Sequence, residues 1–164
     1  LTKWVQSQFD PKLNWDDVKR IKDWWGGKLI IKGIMDPDDA KMAQKCGADA
    51  LVVSNHGGRQ LDGVNSSIST LPEIKKAVSN MEVLMDGGIS SGQDILKAIA
   101  MGAEGVMIGR SFVYGLSAGG KEGVTKSLEI LNKELDMTMA LCGRRDIKDV
   151  GREIIKDCPF FEKN

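Results

Sequence analysis

Residues 46–55 read CGADALVVSN, and residues 101–110 read MGAEGVMIGR. The two stretches share one plan: a helix-ending Gly, an Ala, an acid, a small or apolar residue, then an apolar run. They begin 55 residues apart, room for two strand-helix units. Working outward, four short apolar runs predict buried strands at Leu29–Lys32, Ala50–Ser54, Val83–Asp86 and Gly105–Ile108. The runs are rich in Val, Ile and Leu and do not alternate with polar residues. That pattern suits a parallel sheet covered on both faces.

Helical signals fill the gaps. Asn14 precedes WDDVKRIKDWW, whose apolar side would hold Val18, Ile21 and Trp25. Asp36 reads as an N-cap with Pro37 at the first helical position, and that helix closes at Gly47. Leu71-Pro72-Glu73 opens another helix, which runs to about Val78. Ser90 or Ser91 caps a third, closing at Gly102. The longest helical stretch, about Lys121 to Leu141, puts Val124, Leu128, Leu131 and Leu135 on one face. The preceding GLSAGGKEG, residues 115–123, reads as a cap and turn.

The resulting order, α-β-α-β-α-β-α-β-α, implies right-handed parallel crossovers. An echo at two βα units favours an α/β (β/α)8 TIM barrel over a doubly wound sheet. A complete barrel needs about 250 residues. Four strands in 164 residues therefore read as half of one, as a single domain over 1–164. The chain begins at Leu1 rather than Met, which agrees with an upstream piece.

Composition narrows the function classes. Twenty-three Lys and Arg balance 23 Asp and Glu, so nothing favours a nucleic-acid or anionic-membrane partner. No apolar run approaches the ~18 residues that span a bilayer, and the expected location is the cytoplasm. Cys46, Cys142 and Cys158 are odd in number and lack CxxC spacing. With the single His56, they point away from a disulfide framework and from a metal site. The four tryptophans, Trp4, Trp15, Trp24 and Trp25, read as helix packing.

Barrel active sites lie at the C-terminal ends of the strands. Those ends carry Lys32, then Ser54-Asn55-His56, then Asp86-Gly87-Gly88, then Gly109-Arg110. A lone Lys or His in such a place is more often structural. However, His56 opens HGGR, with Arg59 three residues on. An imidazole can move a proton near neutral pH, and a guanidinium fork suits a carboxylate. Together they suggest oxidation or proton abstraction beside a carboxylate. The Gly87-Gly88 and Gly109-Arg110 turns, on adjacent strands, suggest a phosphate-bearing cofactor.

The string VVSNHGGRQLDG, residues 52–63, resembles the active-site signature of the FMN-dependent α-hydroxy acid dehydrogenases and oxidases. The likeness continues through LIIKGI, the DGG turn, GAEGVMIGR and the segment GKEGVTKSLEILNKELDMTMALCG. The opening QFDP and DWW segments resemble the bacterial L-lactate dehydrogenase branch. The resemblance implies a flavoprotein barrel with FMN at its C-terminal rim, this chain supplying strands five to eight. By motif, Lys32 would lie beside the flavin N1 and C2 carbonyl, and Ser54 would contact the ring. His56 would be the base and Arg59 the ligand of the substrate carboxylate. Asp86, Gly87, Gly88, Gly109 and Arg110 would hold the ribityl phosphate. One position departs from the pattern: Ser90 stands where the family usually has Arg, which removes a cation.

The expected activity is oxidation of an L-2-hydroxy acid, L-lactate first, to the 2-oxo acid, in partnership with an N-terminal half-barrel. That half would supply two substrate-contacting tyrosines and the Asp that orients the histidine. In the full-length protein, a peripheral place at the cytoplasmic face of the membrane is compatible with the family. Two rivals remain. One is an inactive half-barrel that self-associates as a homo-oligomer through its open face. The other is a module that retains only the phosphate turns.

Overall fold

The computed structural model describes Trp4, Asp10 and residues 12–155. Cys158 and, in the opening QFDP segment, Gln8, Phe9 and Pro11 lie outside the described residues. Among the described residues, four parallel strands form one sheet in the order β1 (Ile30–Ile34), β2 (Ala50–Val53), β3 (Glu82–Met85), β4 (Gly105–Val106). Strands that add in chain order, without reversal, lack the switch point of a doubly wound sheet. The structure thus has the α/β class and parallel sheet expected. Among the described residues, β1 and β4 each have one neighbour in the sheet.

Among the described residues from Asp10 onward, five α-helices alternate with the strands: α1 (Trp15–Trp25), α2 (Pro37–Lys45), α3 (Ser67–Ala77), α4 (Gly92–Ala100) and α5 (Arg110–Leu141). Their starts follow the chemistry of orphan helix amides. Asn14 accepts from the amides of Asp16 and Asp17, and Asp17 answers with a bond from the Asn14 amide. Asp36 caps α2 through Asp38 and Asp39, with Pro37 in the first turn. Ser91 caps α4 through the Asp94 amide.

Alternation along the strands gives the sheet two different faces. Leu51, Val53, Val83 and Met85 point toward the helices and join Ala40, Ala43, Leu71, Ile74 and Ala98 in one core. Leu71 and Ile74 are fully buried, each worth about 1.5–3 kcal/mol of apolar burial. Lys32, Val52 and Leu84 lie side by side on the opposite face. In β1 the pairing slips between Lys32 and Ile34, so that Ile34 pairs with Val53 and Gly33 is left over.

The structure corrects four expectations. Helix α3 opens at Ser67 rather than at Leu71, and Pro72 lies inside it. The preceding residues join the helix because the Ser69 and Thr70 hydroxyls turn back onto it. Ser69 Oγ donates to the Ser66 carbonyl at 2.7 Å, and Thr70 Oγ1 does so at 3.1 Å. Helix α5 begins directly at Arg110, so β4 ends at Val106 and not at Ile108. Its helical geometry breaks at Gly119 and Gly120, inside the stretch read as a turn. Gly115 and Gly123 then face each other so closely that a Cβ on either would collide with the other's carbonyl.

The third correction concerns α1, which contains no fully buried residue. Val18 is half-buried, but Ile21 and Trp25 are exposed. Trp15 is the residue that packs on the core. Lys22 ties the helix down instead, donating to Asp49 at 2.6 Å and to the Gly27 carbonyl at 2.8 Å. Fourth, Trp24 and Trp25 are not packing residues. They are 77% and 66% exposed, and Trp24 carries the Arg20 guanidinium 5.3 Å from its ring centre. On the long-helix face, Leu131 is buried and Val124 and Leu135 half-buried, but Leu128 stays 50% exposed. Among the described residues, no helix is long and apolar enough to cross a membrane.

Candidate active site

Side chains from within β1 and from just beyond β2 and β3 converge in one hydrogen-bonded cluster. Lys32 and Val52 are register partners, as are Val52 and Leu84. Ser54 and Asp86, two residues beyond Val52 and Leu84, therefore share the face of Lys32. Lys32 Nζ donates to Ser54 Oγ at 2.9 Å and pairs with Asp86 Oδ2 at 2.9 Å. Ser54 Oγ also accepts the His56 amide at 3.2 Å. Asp86 Oδ1 is buried and has no hydrogen-bond partner among the described residues. A buried carboxylate oxygen without a donor is costly, and a ligand hydroxyl would satisfy it.

His56 lies in a short 3-10 turn, His56–Gly58, after β2. Its φ is +55°, a left-handed conformation rare outside glycine. The ring lies against the β1 irregularity: a Cβ on Gly33, whose φ is +100°, would stand 3.0 Å from His56 Cε1. The extra residue in β1 thus leaves room for the imidazole. His56 and Arg59 are both exposed, on the rim and on the same turn.

Beside this cluster opens a cleft of about 430 Å³. Of the residues read as a phosphate site, Gly87, Gly88 and Arg110 line it. Asp86 and Gly109 are not on its wall; Asp86 belongs to the Lys32 cluster instead. Gly87 has φ +89°, and a Cβ there would lie 3.0 Å from Ser67 Oγ and 3.1 Å from Asn55 Oδ1. Gly88 has φ +78° and open space where a Cβ would be. The turn therefore presents bare backbone to the cleft.

Reading the sequence missed several lining residues: Asn55, Ser67, Asp94 and Lys97. Asn55 was visible inside the histidine motif. It organises the turn by accepting the Gly57 amide at 3.0 Å and donating to the Asn65 carbonyl at 3.3 Å. Buried Ser67 accepts the Asn55 amide at 3.2 Å, a contact 12 residues away that no local pattern announces. Ser90 donates to Asp94 Oδ2 from its amide and its hydroxyl, each at 3.1 Å, and Ser91 Oγ adds a bond at 2.9 Å. Partial burial resists ionisation of Asp94, but those bonds outweigh it and hold its pKa below the usual carboxylate value.

Residues 1–157 match the model of a family described as FMN-dependent dehydrogenase. The chain belongs to that family. An L-lactate dehydrogenase of Caulobacter vibrioides (strain NA1000 / CB15N) is 50% identical over 155 residues, 94% of this chain and 40% of that protein. One from Stenotrophomonas maltophilia (strain R551-3) is 48% identical over 157 residues, 95% of this chain and 41% of that protein. A crystal structure of mandelate oxidase with (S)-4-hydroxymandelic acid matches with a TM-score of 0.82 and 42% identity. That match covers 85% of this chain and 40% of the oxidase chain. A mandelate oxidase mutant with the monooxide FMN adduct matches at 0.83 and 42%, over 88% of this chain and 46% of the other. The chain thus spans 40–41% of the length of these curated relatives.

The family implies FMN, and the residues present fit it. The open Gly88 turn and Arg110 would supply amides and a cation for a phosphate, while Asp86 Oδ1 would offer an acceptor for a hydroxyl.

Proposed function

We propose that residues 1–164 supply the last four βα units of a (β/α)8 barrel whose upstream half completes the site. The assembled protein oxidises an L-2-hydroxy acid, L-lactate first, to the 2-oxo acid. The observation that carries this reading is the convergence of Lys32, Ser54 and Asp86 with the His56 turn beside the glycine cleft. The mandelate oxidases and lactate dehydrogenases it resembles support a small 2-hydroxy acid as substrate.

When bound, FMN supplies a two-electron acceptor for the substrate's Cα–H bond. Gly87, Gly88 and Arg110 would hold its phosphate, and the free Asp86 Oδ1 would accept from a ribityl hydroxyl. Lys32 and Ser54 would face the ring, and the positive charge of Lys32 would favour the reduced form. Arg59 clamps the substrate carboxylate with its planar fork. His56 takes the substrate's proton on a ring nitrogen, and Gly33 leaves that ring its place.

His56→Ala in the assembled barrel tests this. Loss of a positioned general base costs typically 10²–10⁴-fold, so lactate-driven flavin reduction should fall by about that much while FMN stays bound. Reduction at the parent rate would overturn the assignment.

A second reading rests on the open sheet. Ile30 and Met107 remain 54% and 42% exposed, and β1 and β4 keep one neighbour each among the described residues. In that reading the isolated chain associates with itself through this face. A monomeric mass by light scattering at micromolar concentration would refute it.

A further inference from the structure

The turn that presents Gly87 and Gly88 is held from outside by a residue 42 positions further along the chain. Glu134, on α5, accepts the Gly92 amide through Oε2 at 2.9 Å. Gly92 is the first residue of α4, and its amide has no partner within that helix. The contact admits no side chain. A Cβ on Gly92 would collide with the backbone nitrogen of Leu135 and with Glu134 itself. The first turn of α4 therefore sits directly on the α5 backbone. A carboxylate at a helix N-terminus also complements the helix dipole.

The same turn is closed on its inner side by Asp94, which collects the Ser90 amide and the Ser90 and Ser91 hydroxyls. Protein carboxylates thus occupy both Ser90 and Gly92, leaving Gly87, Gly88 and Ile89 as the part of the turn that lines the cleft. Where the family pattern has a cation at position 90, this chain has a serine engaged with Asp94. Fixing the glycine amides then falls to the contacts beneath them.

We propose that Glu134 is a positioning residue for the phosphate turn, acting through the Gly92 amide rather than by touching the ligand. This rests on the reading of Gly87, Gly88 and Arg110 as the FMN phosphate site. Glu134 braces the start of α4 against α5 and so holds the preceding glycine turn open toward Arg110.

The test compares FMN with riboflavin, which lacks the phosphate, by fluorescence titration of the flavin-free full-length protein. Glu134→Ala should lower the preference for FMN over riboflavin by about tenfold, the effect of one lost hydrogen bond to a charged group. Riboflavin affinity should stay unchanged. Glu134→Asp keeps the charge and the fold but withdraws the carboxylate, and should lose the same preference. Glu134→Gln retains an acceptor at full reach and should stay within about threefold of the parent. An unchanged preference in both the Ala and Asp variants would overturn the role of Glu134 while leaving the phosphate site standing. Equal loss of both flavins would also overturn it, since a general loosening of the fold predicts that result. If the parent protein shows no preference for FMN, the phosphate reading itself fails and this inference falls with it.

Discussion

Gly87→Ala and Gly88→Ala give a paired experiment in which one structural difference sets the outcome. Both glycines have positive φ, +89° and +78°, so an Ala at either costs about 1–2 kcal/mol in conformational strain. At Gly88 nothing else is met. At Gly87 the new methyl meets Ser67 Oγ at 3.0 Å and Asn55 Oδ1 at 3.1 Å. Ser67 Oγ is the acceptor of the Asn55 amide, and Asn55 Oδ1 is the acceptor of the Gly57 amide. Displacing the hydroxyl leaves a part-buried N–H without its bond, a further ~1–3 kcal/mol. Gly87→Ala should thus cost about 2–5 kcal/mol. Gly88→Ala should cost about 1–2 kcal/mol. Urea unfolding of the flavin-free protein, at about 2 kcal/mol per molar, should separate the two midpoints by ~0.5–1.5 M. Ser67→Ala removes the clashing oxygen and should make Gly87→Ala cheaper than in the parent. Equal midpoints for the two glycine variants, or strict additivity with Ser67→Ala, would refute the reasoning.

Two further perturbations probe the rest of the scaffold. Hydrogen bonds from Lys22, Lys28 and the Leu29 amide hold the Asp49 pKa well below its usual value. This stabilisation is present above the unfolded value of about 3.9 and is lost as pH falls through the lower folded value. Acid should therefore lower the urea midpoint of the parent more than that of Asp49→Asn between about pH 5 and pH 3, and parallel curves would contradict the assignment. Lys32→Met removes the cationic partner of Asp86 and leaves a half-buried carboxylate uncompensated. The variant should therefore unfold at a lower urea concentration than the parent; an unmoved midpoint would contradict the pairing.

The parallel sheet was legible because each strand is a continuous apolar run ended by glycine or a polar residue. The helix starts at Asp36 and Ser91 were legible because a side-chain oxygen meets amides two or three residues away. Helix α3 was misread where Pro72 looked like a start. Hydroxyls at Ser69 and Thr70 bond backward onto the helix, which residue preferences for loops conceal. The apolar face assigned to α1 failed because Lys22, through Asp49, fastens that helix more than its aliphatic residues do. In the site, strand ends pointed to Lys32, Ser54 and Asp86 one by one. That the three share a face follows from register, which no single strand displays. Ser67 and Glu134 were invisible because their partners, Asn55 and Gly92, are 12 and 42 residues away.

The central claim is that this chain is one half of a flavin-binding barrel that oxidises a 2-hydroxy acid. Its most direct test is to co-express residues 1–164 with the N-terminal half of a lactate dehydrogenase relative and to record the visible spectrum before and after anaerobic L-lactate. The account predicts a co-purifying complex with bound FMN whose flavin absorbance bleaches on addition of lactate. A complex that forms without flavin, or whose flavin is unaffected by L-lactate and other small 2-hydroxy acids, would contradict it.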